Sequence, residues 1–306
     1  MKNSILKTEY LKSSKGSSIV IFALTLTIIM VMAALVIDLG NAFLVKATIT
    51  SAVDAAALAG AQELVTDYSN ASNMAQNYVL KNESNLKSIV STIDADKRGI
   101  EVKATKNVSY YFAKVIGFQS RDITAAAKAR AENISSLKGV RPLAVVQQTF
   151  TYGKLYTLKE GGGGGTTGNY APIELGGTGA QKYQDNLLNG YNGTINIGDV
   201  IYTETGNMAG PTHTVIQQLV SKSADTYDNY SIDCPRVIFL PVVNTLSVNG
   251  KKAIKVLGFA TFFLEGVTIG SNGTADVVGR FITYCMDGQT SSTASDFGTY
   301  SIKLVR

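Results

Sequence analysis

Charge is scarce in this chain. Only 17% of its 306 residues are Asp, Glu, Lys or Arg, and histidine occurs once, at position 213. One histidine leaves no H-E-x-x-H zinc motif, and the sequence also lacks a G-x-S-x-G nucleophile elbow and any Cys/His spacing suited to nucleophilic catalysis. His213, in Gly-Pro-Thr-His-Thr, therefore reads as a surface or turn residue. There is no basic run and no RNA-binding motif, so the formal net charge of +5 is not a nucleic-acid signature. The glycine run at 161–165 lacks the Gly-Lys-Ser/Thr and the following helix of a phosphate-binding loop, and reads as a flexible surface loop. Asp199 and Glu204 could be imagined as a glycosidase pair, but their turn-rich surroundings suit solvated or capping carboxylates. No catalytic, metal or cofactor site is expected, and no enzymatic activity.

What the chain does have is a long apolar run. The 22 residues between Lys15 and Asp38 carry no charge, and residues 17–37 are long enough at helical rise to cross a bilayer core of roughly 30 Å. No helix end follows. Residues 39–64 contain no proline and space Leu39, Phe43, Ile49, Val53, Ala56 and Leu64 mostly by three or four. One long helix is expected, half in lipid and half outside. A buried core helix and a cleaved leader are the competing readings, but the first is usually shorter and the second has an apolar region of only ~7–15 residues. Lys2, Lys7, Lys12 and Lys15 against Glu9 give the first sixteen residues a charge of +3, which leaves +2 for the rest. Positive-inside then keeps the tail in the cytoplasm and puts everything after Asp38 outside, with Lys15 and Asp38 marking the membrane boundaries.

The region resembles the N-terminal domain of TadG-like proteins of the Tad (Flp) pilus assembly system. The resemblance rests on Lys15-Gly16, on Val36-Ile37-Asp38-Leu39-Gly40, and above all on residues 51–61, SAVDAAALAGA, which look like the family's D-A-A-A-L-A-A-A signature. Physically, small residues such as Ala52, Ala56 and Gly60 let another helix or a sheet approach the backbone closely. The resemblance implies a membrane-anchored assembly component, with pilins and other Tad proteins as partners. A homo-oligomer through the long helix is a further expectation. Some family members carry a von Willebrand-type domain with an Asp-x-Ser-x-Ser metal site; that string is missing, so metal-dependent adhesion is not carried over. Prepilin peptidases cut after Gly with Glu five residues on, whereas the fifth residue after Gly16 is Ile21, so an uncut N-terminus is expected.

Beyond the helix, residues 66–85 read as a second helix capped by Asp67 or Ser69. Strands follow at 87–93 and 99–107, with a turn at 94–98, and then a short helix at 108–116 ended by Gly117. Residues 122–133 read as a strand, or as a helix if their alanines dominate. The resemblance favours the strand, through the family order matched by Val102, Phe112, Val115, Gly117, Ile123, Ala125, Ala127 and Ala129. Hairpins are expected between the turn signals of 183–211, and strands at 139–146, 236–243, 253–264, 274–284 and 300–305. Residues 258–264, apolar on both faces, should be central in their sheet.

The expected class is thus α+β: a cytoplasmic tail at 1–16, a transmembrane helix at 17–37, a small Tad-like α+β domain at 38–138 and a β-rich antiparallel extracellular domain at 139–306. Cys234 and Cys285 both lie past the span, in an oxidising compartment where an even count favours a bridge. Two reduced cysteines or a metal pair are the alternatives. Two function classes stay open, a structural and assembly role in the pilus machinery and a surface adhesin, ligand-binding or enzymatic ectodomain that shares the anchor.

Overall fold

The computed structural model describes residues 14–160, 168–231, 233–246, 250–270 and 273–305, with side chains from residue 18 onward. Most of the expected tail and the glycine run at 161–165 lie outside the described residues.

Helix α1 (Ser14–Thr66) runs unbroken, and its 53 residues extend about 80 Å. Its first part is bare: Ile19, Phe22, Ile28 and Met32 are all well exposed. Among the described residues it is the one helix long and apolar enough to cross a membrane. Apolar burial starts at Ile49 and continues through Val53, Ala56, Ala57, Ala61 and Leu64, a stripe one helix face wide. That stripe faces α2 (Ala71–Asn82), which offers Ala71, Ala75 and Val79 at intervals of four. Helix α2 begins later than expected. Asp67 instead folds the connection, accepting the Ser69 amide at 3.0 Å and its hydroxyl at 2.6 Å.

The other side of the stripe meets a sheet. Strands β1 (Ser88–Ile93), β2 (Gly99–Ser109) and β3 (Ser120–Lys138) form an antiparallel meander. Ile100, Val102 and Ala104 of β2, with Ala125 and Ala129 of β3, pack on the helix. Burial of each branched side chain here stabilises by about 1.5–3 kcal/mol, while the alanines set the short spacing between layers. Residues 122–133 are therefore strand, as the resemblance implied. The helix expected at 108–116 is a correction: Val108 and Ser109 pair with Arg121 and Ser120 as the end of β2, and only Ala113–Ile116 forms a 3-10 turn. Gly117, at φ 97°, ends that turn in the left-handed region.

The chain continues through β4 (Leu143–Val146), β5 (Leu155–Glu160), β6 (Asn169–Glu174), α3 (Ala180–Asn189), β7 (Thr194–Asn196), β8 (Val200–Thr203) and α4 (Ala209–Ser221). It ends with β9 (Val237–Val243), β10 (Ala253–Ile269), β11 (Ala275–Ile282), β12 (Tyr284–Cys285), β13 (Gln289–Thr290) and β14 (Thr299–Val305). The second sheet has the order β11-β5-β6-β4-β9-β10-β8, and the β10–β11 pairing closes it into a ring. It is mixed, since β4–β9 and β5–β6 are parallel and the other pairs antiparallel. Strand β10 is central, as its two apolar faces predict: Ala260, Phe262 and Leu264 join one core, and Phe259 joins another.

Two further expectations are corrected here. Residues 183–211 are not a series of hairpins, because α3 and the start of α4 fall within them. Tyr183, Asn186 and Leu187 give α3 a buried face at helical spacing. Pro211 sits in the first turn of α4, where the N–H has no intrahelical partner to lose. The strand at 300–305 forms, but it does not belong to the second sheet. β14 pairs antiparallel with β3, Tyr300 opposite Asn133 and Val305 opposite Lys128, so the last strand of the chain completes the first sheet.

Candidate functional site

The small-residue signature lies where helix and sheet come closest. Ala52 and Ala56 are buried, and a Cβ at Gly60 would stand 3.0 Å from Ala75 Cβ, 3.0 Å from Ile100 Cδ1 and 3.3 Å from the Ala71 carbonyl. Helix α2 and strand β2 therefore converge on one backbone position of α1, where an added side chain would be tighter than ordinary contact. Lys15 lies in the helix but outside the residues whose side chains are described.

Asp38 is not an open charge at the helix surface. It is 4% exposed and its carboxylate turns toward the loop that joins β2 to β3. Oδ1 accepts the Tyr111 amide at 2.7 Å, and Oδ2 accepts the amides of Phe112 at 3.1 Å and Ala113 at 2.7 Å. These are the unpaired N–H groups at the start of the 3-10 turn, so Asp38 caps that turn from another element. Burial pushes its pKa up, but the three amides and the nearby Lys114 charge outweigh burial and hold the carboxyl below the ordinary range. Sequence reasoning placed Asp38 at the boundary without its partners. The signal available for them was the uncharged aromatic and branched run around Lys114, which was read as helix alone.

The remaining candidates are dispersed. Asp199 accepts the Asn196 amide at 2.8 Å, and Glu204 accepts the Gly179 amide at 3.3 Å just before α3; both carboxylates shape turns. His213 is half-buried in α4. The expected Cys234–Cys285 bridge is absent, and both are free thiols. The start of β9 and the end of β11 lie level on β10, Val237 opposite Phe263 and Ile282 opposite Thr261, and Cys234 packs in one cluster with Ile282. Cys285 instead lies on β12, which pairs with β14 of the first sheet. Burial raises both thiol pKa values, that of Cys285 to about 12, and Asp225 adds to the rise at Cys234.

Along the chain, residues 16–63 match the Tad family model, described as "Putative Flp pilus-assembly TadE/G-like". The match covers the exposed span, Asp38 and the buried small-residue stripe as far as Glu63, and so identifies an N-terminal Tad-like domain. No curated protein and no solved structure gives a match.

Proposed function

We propose, from the Tad-like domain at residues 16–63 as premise, that this chain is a single-pass membrane component of a Tad (Flp) pilus assembly apparatus. Its role is structural: the span anchors it, residues beyond Asp38 stand outside the cell membrane, and the folded part contacts pilins or other Tad proteins without catalysing a reaction.

The observation that carries this reading is the continuity of α1. The matched segment joins an apolar, uncovered half to a half clamped between α2 and the first sheet, with no break at the boundary. A lipid-facing half next to a protein-facing half is what an anchor needs if the ectodomain is to keep a fixed relation to the membrane. The +3 charge of the first sixteen residues supports the orientation.

Two experiments test the proposal. External protease applied to intact cells, or to spheroplasts where a wall or outer membrane blocks access, should digest the region beyond residue 66 while an N-terminal tag stays protected. A protected ectodomain overturns the orientation. Deletion of the gene should abolish surface pili, with restoration by the full chain; unchanged piliation overturns the assembly role. Immunogold labelling of sheared pili against washed membranes then separates a fibre subunit from a membrane-resident component.

A further inference from the structure

The loop between β2 and β3 carries an unusual set of exposed side chains. Tyr111 is 67% exposed, Val115 88%, Ile116 75% and Phe118 63%. Among the described residues nothing covers them. Single exposed apolar residues need no explanation, but five large ones within eight positions, Phe112 included, form a contiguous apolar tip.

Contacts along α1 fix where that tip lies. Ile100, near the start of β2, packs at Gly60; Lys46 Nζ donates to the Thr124 carbonyl, and Thr124 faces Thr105 across the hairpin; Tyr111 donates to Asp38. As the hairpin advances from position 100 through 105 to 111, the helix positions it touches step back from 60 through 46 to 38. The hairpin therefore runs alongside α1 toward the apolar span and ends level with its outer boundary.

The tip is also built for an apolar medium. Asp38 takes three of its amides, and those of Val115, Gly117 and Phe118 donate to the carbonyls of Phe112, Lys114 and Ala113 at 3.0–3.1 Å. Backbone groups left unpaired are costly in lipid, and these six amides are paired internally. Tyrosines and phenylalanines flank the tip as aromatic residues do at membrane interfaces. Lys114 and Arg121 are both exposed, supplying positive charge at headgroup level, and residues 110–118 contain no acid.

We propose that residues 110–118 are a second membrane contact: the hairpin tip is immersed in the lipid interface beside the span, and Asp38 locks it to α1. The inference rests on the reading of α1 as a membrane span. The ligand is the bilayer surface itself, with anionic headgroups meeting Lys114 and Arg121. With this contact the ectodomain is held at two points, which sets its tilt as well as its distance from the membrane.

The chain contains no tryptophan, so an introduced one reports alone. The full chain is reconstituted in phosphatidylcholine–phosphatidylglycerol nanodiscs, one copy per disc, as Phe118→Trp and separately as Ile28→Trp, each at an exposed apolar position. Lipids brominated at shallow or deep acyl positions serve as quenchers. Expected is blue-shifted emission from position 118 that shallow bromines quench more than deep ones, with quenching by deep bromines at position 28. Quenching at 28 without quenching at 118 overturns the second contact and leaves the span reading standing. Blue-shifted but unquenched emission at 118, as burial against protein would give, overturns it likewise. Absence of quenching at 28 overturns the span reading, and the second contact falls with it.

Discussion

Asp38 and Ala113, 75 positions apart in the chain, are joined by a 2.7 Å hydrogen bond from the Ala113 amide to a carboxylate oxygen. The bond, with its two companions from Tyr111 and Phe112, converts the end of the span into the cap of a turn in the sheet. Asp38→Asn keeps the shape and one acceptor oxygen but removes the charge. Faster hydrogen exchange is expected at Tyr111, Phe112 and Ala113, with the amides of β1 and the centre of β3 unchanged. Equal exchange in both proteins would show that the cap contributes nothing to loop order.

The same carboxyl gives a pH dependence with a definite sign. Its folded pKa lies below the ordinary value of about 3.9, so the folded loop favours the charged form. The stabilisation is present above about pH 4 and is lost as pH falls through the folded value. In the Phe118→Trp chain the emission should be flat from neutral pH to about pH 4 and change below it. Adding Asp38→Asn should abolish the change, and persistence of the transition would assign it to another group.

Gly60 can be tested by addition. A leucine there would meet Ala75 Cβ, the Ala71 carbonyl and Ile100 Cδ1 together; only the last is the end of a side chain, and that side chain is itself fully buried. Gly60→Leu is expected to destabilise the folded region by about 1–3 kcal/mol through overpacking, read as a lower midpoint of denaturant unfolding. An unchanged midpoint would mean that the layers can separate at little cost.

The two thiols should be present but slow. Unreduced protein, denatured and labelled, is expected to show two reactive cysteines per chain, Cys234 and Cys285. In the folded protein at neutral pH both should react slowly, because burial holds them as thiols, most strongly at Cys285. Labelling that finds no free thiol after denaturation would overturn the assignment.

Removing residues 299–306 deletes β14 and leaves the β3 edge from Lys128 to Asn133 without a partner. Six residue pairs with β3 and two with β12 are lost, which at the usual size of cross-strand contributions amounts to a few kcal/mol, on the order of 4. A lower unfolding midpoint, together with concentration-dependent association through the bared edge, is the expected result. Retention of the full-length midpoint would show that β14 adds no stability.

Much of this architecture was legible because its signals are local. The uncharged run before Asp38, the absence of proline through Leu64 and the regular spacing from Ile49 onward specify α1 without reference to any partner. Alternation does the same for β2, and the apolar strip 258–264 for the central position of β10. Position 108 failed because valine followed by aromatic residues suits a strand end as well as a helix, and only pairing with Arg121 decides it. The hairpin reading of 183–211 failed because Gly210-Pro211 marks a helix start as readily as a turn. The disulfide failed for a different reason: Cys285 lies on β12, whose partner is β14 of the first sheet, and that pairing is not written in the residues around either cysteine. The Asp38 cap was illegible on the same ground, since a carboxylate does not reveal which distant amides it will meet.

The return of β14 to the first sheet bears on how residues 139–298 are held. Residues 139–298 leave from the end of β3 and come back at the start of β14, touching the first sheet again through β7, β12 and β13, so this stretch is a closed excursion with both feet on one platform. Arg98 strengthens the second foot by pairing with Asp296, and the Tyr300 hydroxyl donates to that same carboxylate at 2.8 Å. A single nick by a protease within the excursion leaves two pieces that are each still attached, and a pull on the excursion is divided between neighbouring strands of the sheet that α1 supports. For a folded region joined to one long helix, that is a tether with redundancy.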